Sequence, residues 1–397
     1  MLRPALALVV LAAGAIVFGW SSTGTGAAMP CSAEPARPSL ELEYLLAAGE
    51  KPVTAQTRDE AVTIVCERLQ ALGSVGGEVR SLGGRRIRVV LPGLRSANAA
   101  RRVSADLGAA AQLRFYDWEA NLIGPERTIG GHPGEGSKPG ALKQAEREWR
   151  RAGRAVGRAA NERLILAGAF PSAYGAVRLA SRQKILRSCA NCPASDSRFY
   201  LFDRSPVHKL IAGPFDSRTG LHGGVVLKVP GGTTVVSERP TNGVGAVLTA
   251  ADPGWFALRD RPALTGAEIV DPTAGISDFG SPDVTFGFTA EGRIAFQRVT
   301  RAIARRGEAE AAGPVSAEEA AALSGHFALV FDDEVKTRPI INFAYNPNGI
   351  DGRTGAEIAG GFTSGREAHD LAVVLRTGPL PIELKLMRSR TLPAQNS

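Results

Sequence analysis

Two cysteines at the spacing of a redox or metal motif are the most reactive residues in this chain. Cys189 and Cys192 form a C-x-x-C pair, and Pro193 follows directly. A redox motif places its first cysteine at a helix start after a strand, where the helix dipole lowers the thiol pKa. Here a basic stretch with helical character precedes it, and a zinc site would need two further ligands. We therefore predict a small disulfide in an oxidising compartment, with free thiols and a redox or metal role as alternatives.

The other polar clusters do not indicate catalysis. Asp332, Asp333 and Glu334 lie between two apolar runs, as in a hairpin turn, so we expect solvated carboxylates and not a cation site. His326 and His369 fall on a strand edge and a helix, which favours structural roles. The sequence has no nucleophile elbow, Walker loop or zinc-protease signature. We predict no catalytic, cofactor-binding or metal-binding residue, no cofactor, and a protein that is not an enzyme.

The composition is that of a globular protein with two or three domains. The chain has 397 residues, of which 44% are hydrophobic and 22% charged. Its net charge of +8 comes from one basic stretch, residues 138–187, because the remainder is close to neutral. This stretch favours either a solvated Arg-rich helix or binding to anionic lipid or an acidic polypeptide. Nucleic acid is not an expected partner, because the body is predicted to lie outside the cytoplasm.

That location follows from the N-terminus. Residues 5–20 are apolar or small, a length between that of a signal-peptide core and that of a minimal membrane span. The nearby charge, Arg3, lies on the N-terminal side, so the positive-inside rule places the rest outside the cytoplasm. We predict a single-pass anchor with a cytoplasmic N-terminus in residues 1–30, with a cleaved signal peptide as the alternative.

The periodicity of apolar residues predicts an α+β protein. Residues 38–118 have the order β-α-β-β-α-β of a ferredoxin-like unit, with Leu113 and Phe115 on its last strand. Residues 119–249 are predicted to be an irregular insertion with a helix at 143–167 and short strands at 199–202 and 225–229.

A further α+β region follows the insertion. It contains a strand at 284–288, a helix that Gly307 ends, and strands at 327–331 and 340–343. Near the C-terminus, Ser364 and Glu367 form a capping box for a helix that Gly378 ends, and a strand begins near Ile382.

Six phrases, in order, resemble the SecD/SecF family of bacterial protein-export proteins, with a variant most similar to actinobacterial forms. They are "RIRVVLPG" (86–93), "AQLRFYDWEANLIGP" (111–125), "LTGAEI" (264–269), "VTFGFTAEGRIAFQRVT" (284–300), "HFALVFDDEVKTRPIIN" (326–342) and "IAGGFTSGREAHDLAVVLRTGPLPIEL" (358–384). Together they extend over most of the chain outside the basic insertion. The first predicted strand, "PSLELEYLL" (38–46), departs from the family pattern.

The resemblance implies a large extracytoplasmic domain made of a base and a head. The base would be the ferredoxin-like unit of residues 38–118, completed by the C-terminal helix and strand of residues 347–390. The head subdomain would be residues 250–346, with 119–249 as the insertion and 391–397 as a tail. In the family the closing stretch leads into further membrane spans. Here Ser397 is the last residue, so we expect no proton-conducting spans in this chain.

The resemblance also implies the partners. They are unfolded preproteins emerging from the Sec channel, the channel itself, and full-length SecD and SecF subunits. The glycine-rich loop of residues 271–282 is the expected contact region, with Phe279 as the candidate residue for apolar packing on an unfolded chain. The alternatives are an envelope protein that binds anionic lipid or protein, and a thiol oxidoreductase that uses Cys189 and Cys192.

Overall fold

The computed structural model describes residues 31, 39–46, 53–73, 77–93, 97–123, 169–183, 197–215, 218–219, 221–239, 252–278, 280–311, 313–359 and 361–392. Strands β1–β16 span Ser39–Leu46, Glu78–Ser81, Arg86–Pro92, Leu113–Asp117, Arg198–Phe202, Leu210–Phe215, Val225–Val229, Thr233–Glu238, Gly254–Arg259, Leu264–Thr265, Ile269–Ile276, Pro282–Phe288, Phe327–Phe331, Glu334–Thr337, Ala356–Ala359 and Leu384–Leu392. Helices α1–α7 span Ala55–Ala71, Ala97–Gly108, Trp118–Asn121, Ala173–Ser181, Ala290–Glu310, Ala317–Leu323 and Gly365–Thr377.

The described residues cluster into two compact units. The larger unit contains those between 112 and 270 and between 275 and 365. The smaller unit contains those up to 111, those between 271 and 274, and those from 366 onward. None of the described helices is long and apolar enough to cross a membrane. The predicted anchor in residues 1–30 lies outside the described residues.

The smaller unit is built on an antiparallel sheet of order β16-β1-β3-β2. Apolar side chains alternate along β1, and Leu40, Leu42 and Tyr44 point into a core shared with α1. The C-terminal strand β16 takes the edge position beside β1. The prediction that Leu113 and Phe115 form the last strand of this sheet is wrong, because their strand β4 pairs with β10 and β13 in the larger unit. The alternation of β4 correctly indicates a strand but carries no information about its neighbours.

A buried guanidinium holds the helices of the smaller unit together. Helix α1 begins after the N-cap Thr54 and buries one face, which includes Arg68 at 0% exposure. The Arg68 side chain donates hydrogen bonds to Leu107 O (3.1 Å), Ala109 O (2.5 Å), Gly378 O (2.8 Å) and Thr377 Oγ1 (3.2 Å). These acceptors lie at the C-terminal ends of α2 and α7, where the helix dipoles are negative. The buried cation therefore satisfies the carbonyl groups at both helix ends.

A disulfide joins Cys31 to Cys66 of α1, with Cα atoms 5.9 Å apart and a sequence separation of 35. Gln70 Nε2 lies 3.6 Å from Cys31 Sγ, beside this bond. The disulfide fixes residue 31 against the first helix. The predicted pair, Cys189 and Cys192, lies outside the described residues.

The larger unit contains a six-stranded sheet of order β10-β4-β13-β14-β8-β9. Its β8 and β14 are parallel, and the other neighbouring strands of the sheet are antiparallel. Strand β8 comes from the stretch predicted to be an irregular insertion. In that stretch β5, β6 and β7 also form a small sheet, and α4 packs on a core with Phe202 and Val229. The predicted helix at 143–167 lies outside the described residues.

A second sheet of the larger unit, β11-β12-β15, lies beside the long helix α5. The prediction that Gly307 ends this helix is wrong, because α5 continues to Glu310 and buries Gly307. A Cβ atom at residue 307 would lie 2.8 Å from Phe343 Cδ1 and 3.0 Å from Leu323 O. The glycine is thus required for close packing. The predicted strand at 340–343 is also not formed, since Ile340 makes only an isolated bridge to His326.

The role of Arg68 predicts a large loss of stability when its charge is removed. Arg68→Met keeps the apolar stem but leaves several buried carbonyl groups without donors, which we expect to cost at least about 3 kcal/mol. The matched control is Arg58→Met in the same helix, where the exposed pair with Asp59 (3.2 Å) contributes less than about 1 kcal/mol. Urea unfolding measures both variants. Equal effects would contradict the role assigned to Arg68.

The packing of Gly307 predicts an effect opposite to the usual one in helices. An alanine normally stabilises a helix interior by up to about 1 kcal/mol relative to glycine. Gly307→Ala should instead destabilise the larger unit by about 1–3 kcal/mol, because the methyl group overpacks against Phe343. Gly365→Ala is the control, since a Cβ there meets no atom within 4 Å. Thermal unfolding of both variants gives the comparison. A stabilising Gly307→Ala substitution would show that the close approach is not tight.

Candidate interaction site

The contact loop was predicted to span residues 271–282, but residues 271–276 belong to strand β11, so the loop is only the short turn between β11 and β12. Within it, Ser277 N donates to Ser281 O at 2.8 Å and Gly280 N donates to Ser277 O at 2.8 Å. Ser281 N also donates to Ser277 Oγ at 3.3 Å, and Gly280 has a positive φ of 75°. These bonds make a compact turn that glycine permits. Phe279, the candidate contact residue, lies outside the described residues.

Large apolar side chains are exposed on β11 and on helix α5, which follows β12 in the chain. Ile276, at the end of β11, is 66% exposed, and Val270 on the same strand is 38% exposed. Ile294 in α5 is 60% exposed. Single exposed apolar residues are common on protein surfaces. Ile276, however, lies directly before the turn, so one large apolar side chain is exposed beside the hairpin tip.

A cluster of phenylalanine rings fixes the position of that hairpin. Phe286 and Phe288 of β12 point inward, with ring centres 5.5 Å apart. The Phe115 ring of β4 lies 5.9 Å from Phe286 and 5.8 Å from Phe327. Phe288 stacks on Phe296 of α5 at 4.8 Å. These contacts join β12 to the six-stranded sheet and to α5, so the exposed turn is carried by a rigid aromatic core.

The start of α5 is fixed by two caps and one close approach. Thr289 Oγ1 accepts a hydrogen bond from Gly292 N at 3.0 Å, which caps the helix. Thr265 and Glu268 form a capping box in the preceding 3-10 helix. A Cβ at residue 292 would lie 2.5 Å from Glu268 O, so glycine lets the helix start lie against this turn. The exposed Ile294 follows two residues later.

The acidic turn between β13 and β14 is not the solvated turn that the sequence indicated. Asp333 pairs with Arg114, and Asp332 Oδ1 accepts a hydrogen bond from Gln112 N at 2.8 Å. Glu334 pairs with Arg239 and Lys336. Asp332 and Asp333 both have positive φ, of 45° and 63°, as tight hairpin turns require. The carboxylates turn back onto their own sheet because buried cations lie there.

Arg114 is the buried centre of this ion-pair network. Its side chain is 12% exposed and lies 3.3 Å from Asp260, which also accepts a hydrogen bond from Tyr116 Oη at 2.6 Å. Burial alone would lower the pKa of Arg114, but Tyr116, Asp333 and Asp260 raise it overall. Burial also raises the pKa of Tyr116. The network keeps Arg114 charged and ties β4 to β9 and to the β13–β14 turn.

A second polar cluster lies at the end of β4. Asp117 forms a two-point pair with Arg306 of α5, with Nη1–Oδ2 at 2.7 Å. Glu119 Oε1 lies 2.6 Å from His326 Nδ1, and Glu119 Oε2 accepts from His326 N at 2.8 Å. Burial tends to raise the pKa of Glu119, but the hydrogen bonds and charge of His326 lower it overall. This cluster joins β4 to α5 and β13.

The geometry around His326 favours a structural role. Ser324, the hydroxyl residue nearest in sequence, donates to Ala320 O at 2.7 Å and accepts from Phe343 N at 3.4 Å. Its hydroxyl is therefore engaged with the backbone and not activated as a nucleophile. His369, the other histidine considered, is exposed beside Asp370 at 3.3 Å. Within the described part of the chain, no three metal-binding side chains come together.

Sequence reasoning missed these pairings for a common reason. The motif "DWE" (117–119) suggested a family resemblance but gave no partners, because Arg306 and His326 lie far away in the sequence. Between Asp117 and Glu119, Trp118 is buried and its ring lies 4.7 Å from the guanidinium of Arg338. Each residue of the motif therefore contacts a different element of the larger unit.

The sequence comparisons identify the region that contains the hairpin. Residues 245–382 match the family described as SecDF, P1 head subdomain. The SecDF protein translocase subunit of Thermus thermophilus is 35% identical over 132 residues, which is 33% of this chain and 14% of that protein. The SecD subunit of Aquifex aeolicus is 28% identical over 34% of this chain and 22% of its own length.

A longer match extends to the SecD subunit of Syntrophobacter fumaroxidans, which is 28% identical over 188 residues, or 46% of this chain and 28% of that protein. In each of these relatives the match spans less than a third of the relative's length.

Solved structures of SecDF are also similar. A crystal structure of SecDF in the super-membrane-facing form aligns with 90% of this chain and 32% of its own, at 22% identity and a TM-score of 0.44. A structure described as a membrane component SecDF that enhances protein export aligns with 89% of this chain and 100% of its own, at 21% identity and a TM-score of 0.42. Because both TM-scores are below 0.5, the similarity to SecD and SecDF proteins rests on the sequence comparisons and not on these structures.

These matches confirm the resemblance that the six phrases indicated, and the α+β class agrees with the described elements. The curated relatives are protein translocase subunits, and the family is a translocation component and not an enzyme family. The expectation that the chain is not an enzyme is confirmed on that basis. The chain is therefore similar to SecD and SecDF proteins, and its residues 245–382 match the P1 head subdomain of that family.

Proposed function

We propose that this chain is an auxiliary component of Sec-dependent protein export whose head contacts unfolded preproteins outside the cytoplasm. The match of residues 245–382 to the P1 head subdomain is the observation that carries this proposal. The relatives that share this region are translocase subunits. The partners we propose are the Sec channel, full-length SecD and SecF subunits, and preproteins in transit.

The contact surface we propose is the β11–β12 hairpin of the head. An export component must bind many unrelated sequences, which favours apolar packing over specific hydrogen bonds. Ile276 and Val270 offer such packing on a hairpin that the phenylalanine cluster holds in place. Phe279, in the turn between the two strands, is the predicted centre of the surface.

A membrane-attached, extracytoplasmic location is part of the proposal. Residues 1–30 would form the single-pass anchor with a cytoplasmic N-terminus, and the described units would lie on the opposite side of the membrane. The disulfide between Cys31 and Cys66 supports this location, because disulfides persist mainly in oxidising compartments.

We further propose that the smaller unit is the base of the domain. Its sheet order, β16-β1-β3-β2, is consistent with a ferredoxin-like arrangement in which the C-terminal strand takes the fourth position. The base would then contain the described residues up to 111 and from 366 onward, so the predicted base ranges 38–118 and 347–390 are both too long. Residues 112–118 and 347–365 belong to the larger unit, with the predicted head (250–346) and insertion (119–249).

Site-specific photo-crosslinking in living cells tests the contact surface. A photoreactive residue is introduced at position 276 or 279 while a stalled secretory protein is expressed. We expect crosslinks to that preprotein or to Sec-channel subunits, because the hairpin tip would lie along the path of the emerging chain. Position 82 is the matched control, since Leu82 is also apolar and 40% exposed but belongs to the smaller unit.

Crosslinks from positions 276 and 279 should exceed those from position 82 severalfold. Equal yields from all three positions would show that the hairpin is not a specific contact surface. The absence of any preprotein or channel adduct, in a chain shown to be folded at the membrane, would contradict the export role. Such a result would favour the alternative of an envelope-interaction protein.

A further inference from the structure

Two carboxyl groups face each other across neighbouring strands of the head. In the antiparallel pair β12–β15, Thr285 lies opposite Glu357 and Asp283 lies opposite Ala359. Asp283 and Glu357 are therefore diagonal neighbours on the same face of the sheet, within reach of each other. Val284 and Ile358, between them, point to the opposite face and are fully buried.

Asp283 is buried and Glu357 is partly buried, and one oxygen atom of each carboxyl group has no hydrogen-bond donor among the described residues. Asp283 is only 4% exposed. Its Oδ1 and the Oε1 of Glu357 are both inaccessible, and neither accepts a hydrogen bond from any residue that the structure describes. A Cβ at residue 275 would lie 2.8 Å from Asp283 Oδ1, so Gly275 of β11 lets this oxygen rest against the backbone. Buried carboxylate oxygens without donors are costly.

The surrounding charges do not neutralise the pair. Asp278, in the adjoining turn, adds a further negative charge near Glu357. On β14, which lies against β15, Lys336 is paired with Glu334 at 3.2 Å. The charged residue of β11 is Asp271, also negative and four residues from Gly275. No group of three metal-binding side chains occurs among the described residues, so a proton is better suited than a metal ion to neutralise the pair.

We propose that Asp283 and Glu357 share one proton and form a pH-sensitive latch between β12 and β15, at the foot of the β11–β12 turn. Two neighbouring carboxylates, one buried and one partly buried, cannot both ionise without repulsion, and a hydrogen bond between two carboxyl groups requires a proton on one of them. Protonated, the pair joins the two strands. Ionised, it pushes them apart next to Ser277 and Ser281, which close the turn.

The predicted pH dependence follows from this arrangement. The pKa of Glu357 is raised from 4.5 to about 7, first by burial and then by the hydrogen bond and charge of Asp283 and the charge of Asp278. The folded head therefore binds more protons than the unfolded chain between these pH values. Its stability falls as pH rises through that window and levels off above it. The latch is closed at mildly acidic pH and open at mildly alkaline pH.

Hydrogen exchange of the full chain measures the latch directly and does not depend on the proposed export function. Amide protection in residues 282–288 and 356–359 is compared at pH 5.5 and pH 8, corrected for the intrinsic exchange rate. We expect protection to fall by at least about tenfold at the higher pH, the factor that one unit of pKa shift represents. Preprotein crosslinking can fail while this result stands, and the reverse also holds.

Matched variants separate the shared proton from general effects of pH. In Glu357→Gln the amide N–H donates to Asp283 without titrating, so both segments should stay protected at both pH values. Asp283→Asn, a nearly isosteric change, should also abolish the pH dependence. Glu291→Gln, an exposed carboxyl in α5, should behave as the wild type does.

Three results would overturn the proposal. The first is pH-independent protection in the wild type. The second is an unchanged pH dependence in Glu357→Gln. The third is protection restored at pH 8 by calcium ions, which would show that a cation and not a proton holds the pair.

Discussion

The burial of Phe115 is the constraint on which the larger unit depends. Its ring contacts the rings of Phe286 and Phe327, which belong to two different sheets. On the other face of the same strand, Arg114 and Tyr116 enter the ion-pair network with Asp260 and Asp333. One short strand thus supplies both an apolar and an ionic core.

This arrangement holds the exposed β11–β12 hairpin in a fixed position on the larger unit. Because β12 carries Phe286 and Phe288 into the cluster, the hairpin that exposes Ile276 is anchored to the aromatic core. Asp283 lies on β12 between the aromatic cluster and the turn, and Glu357 lies on the neighbouring strand β15. The head therefore has a rigid aromatic core and one site, the Asp283–Glu357 pair, at which protonation changes how strongly β12 and β15 are held together.

Sequence periodicity was sufficient for most elements but not for their partners. The alternation of Leu40, Leu42 and Tyr44 correctly indicated β1, and the helical spacing near Phe296 correctly indicated α5. The pairing of β4 was wrong because alternation reports burial and not which strand lies alongside. The end of α5 was wrong because Gly307, a usual helix terminator, here avoids a clash with Phe343.

The polar interactions were even harder to predict from the sequence than the strand pairings. From the sequence, a charged residue such as Arg68 is expected to lie at the surface. In the structure it is buried, because carbonyl groups at the C-terminal ends of two helices accept its hydrogen bonds. Asp283 and Glu357 are 74 residues apart in sequence, and only the strand register brings them together. The resemblance to known phrases supplied the family, which neither periodicity nor spacing indicated.

The kinetics of protein export in cells test the central claim, that the head hairpin acts in Sec-dependent translocation. Pulse-chase labelling follows precursor processing of a secretory protein in cells lacking this chain and in cells that express variants of it. We predict slower processing without the chain, restored by the wild type and by Leu82→Asp but not by Ile276→Asp. Unchanged processing in cells lacking the chain would contradict the account.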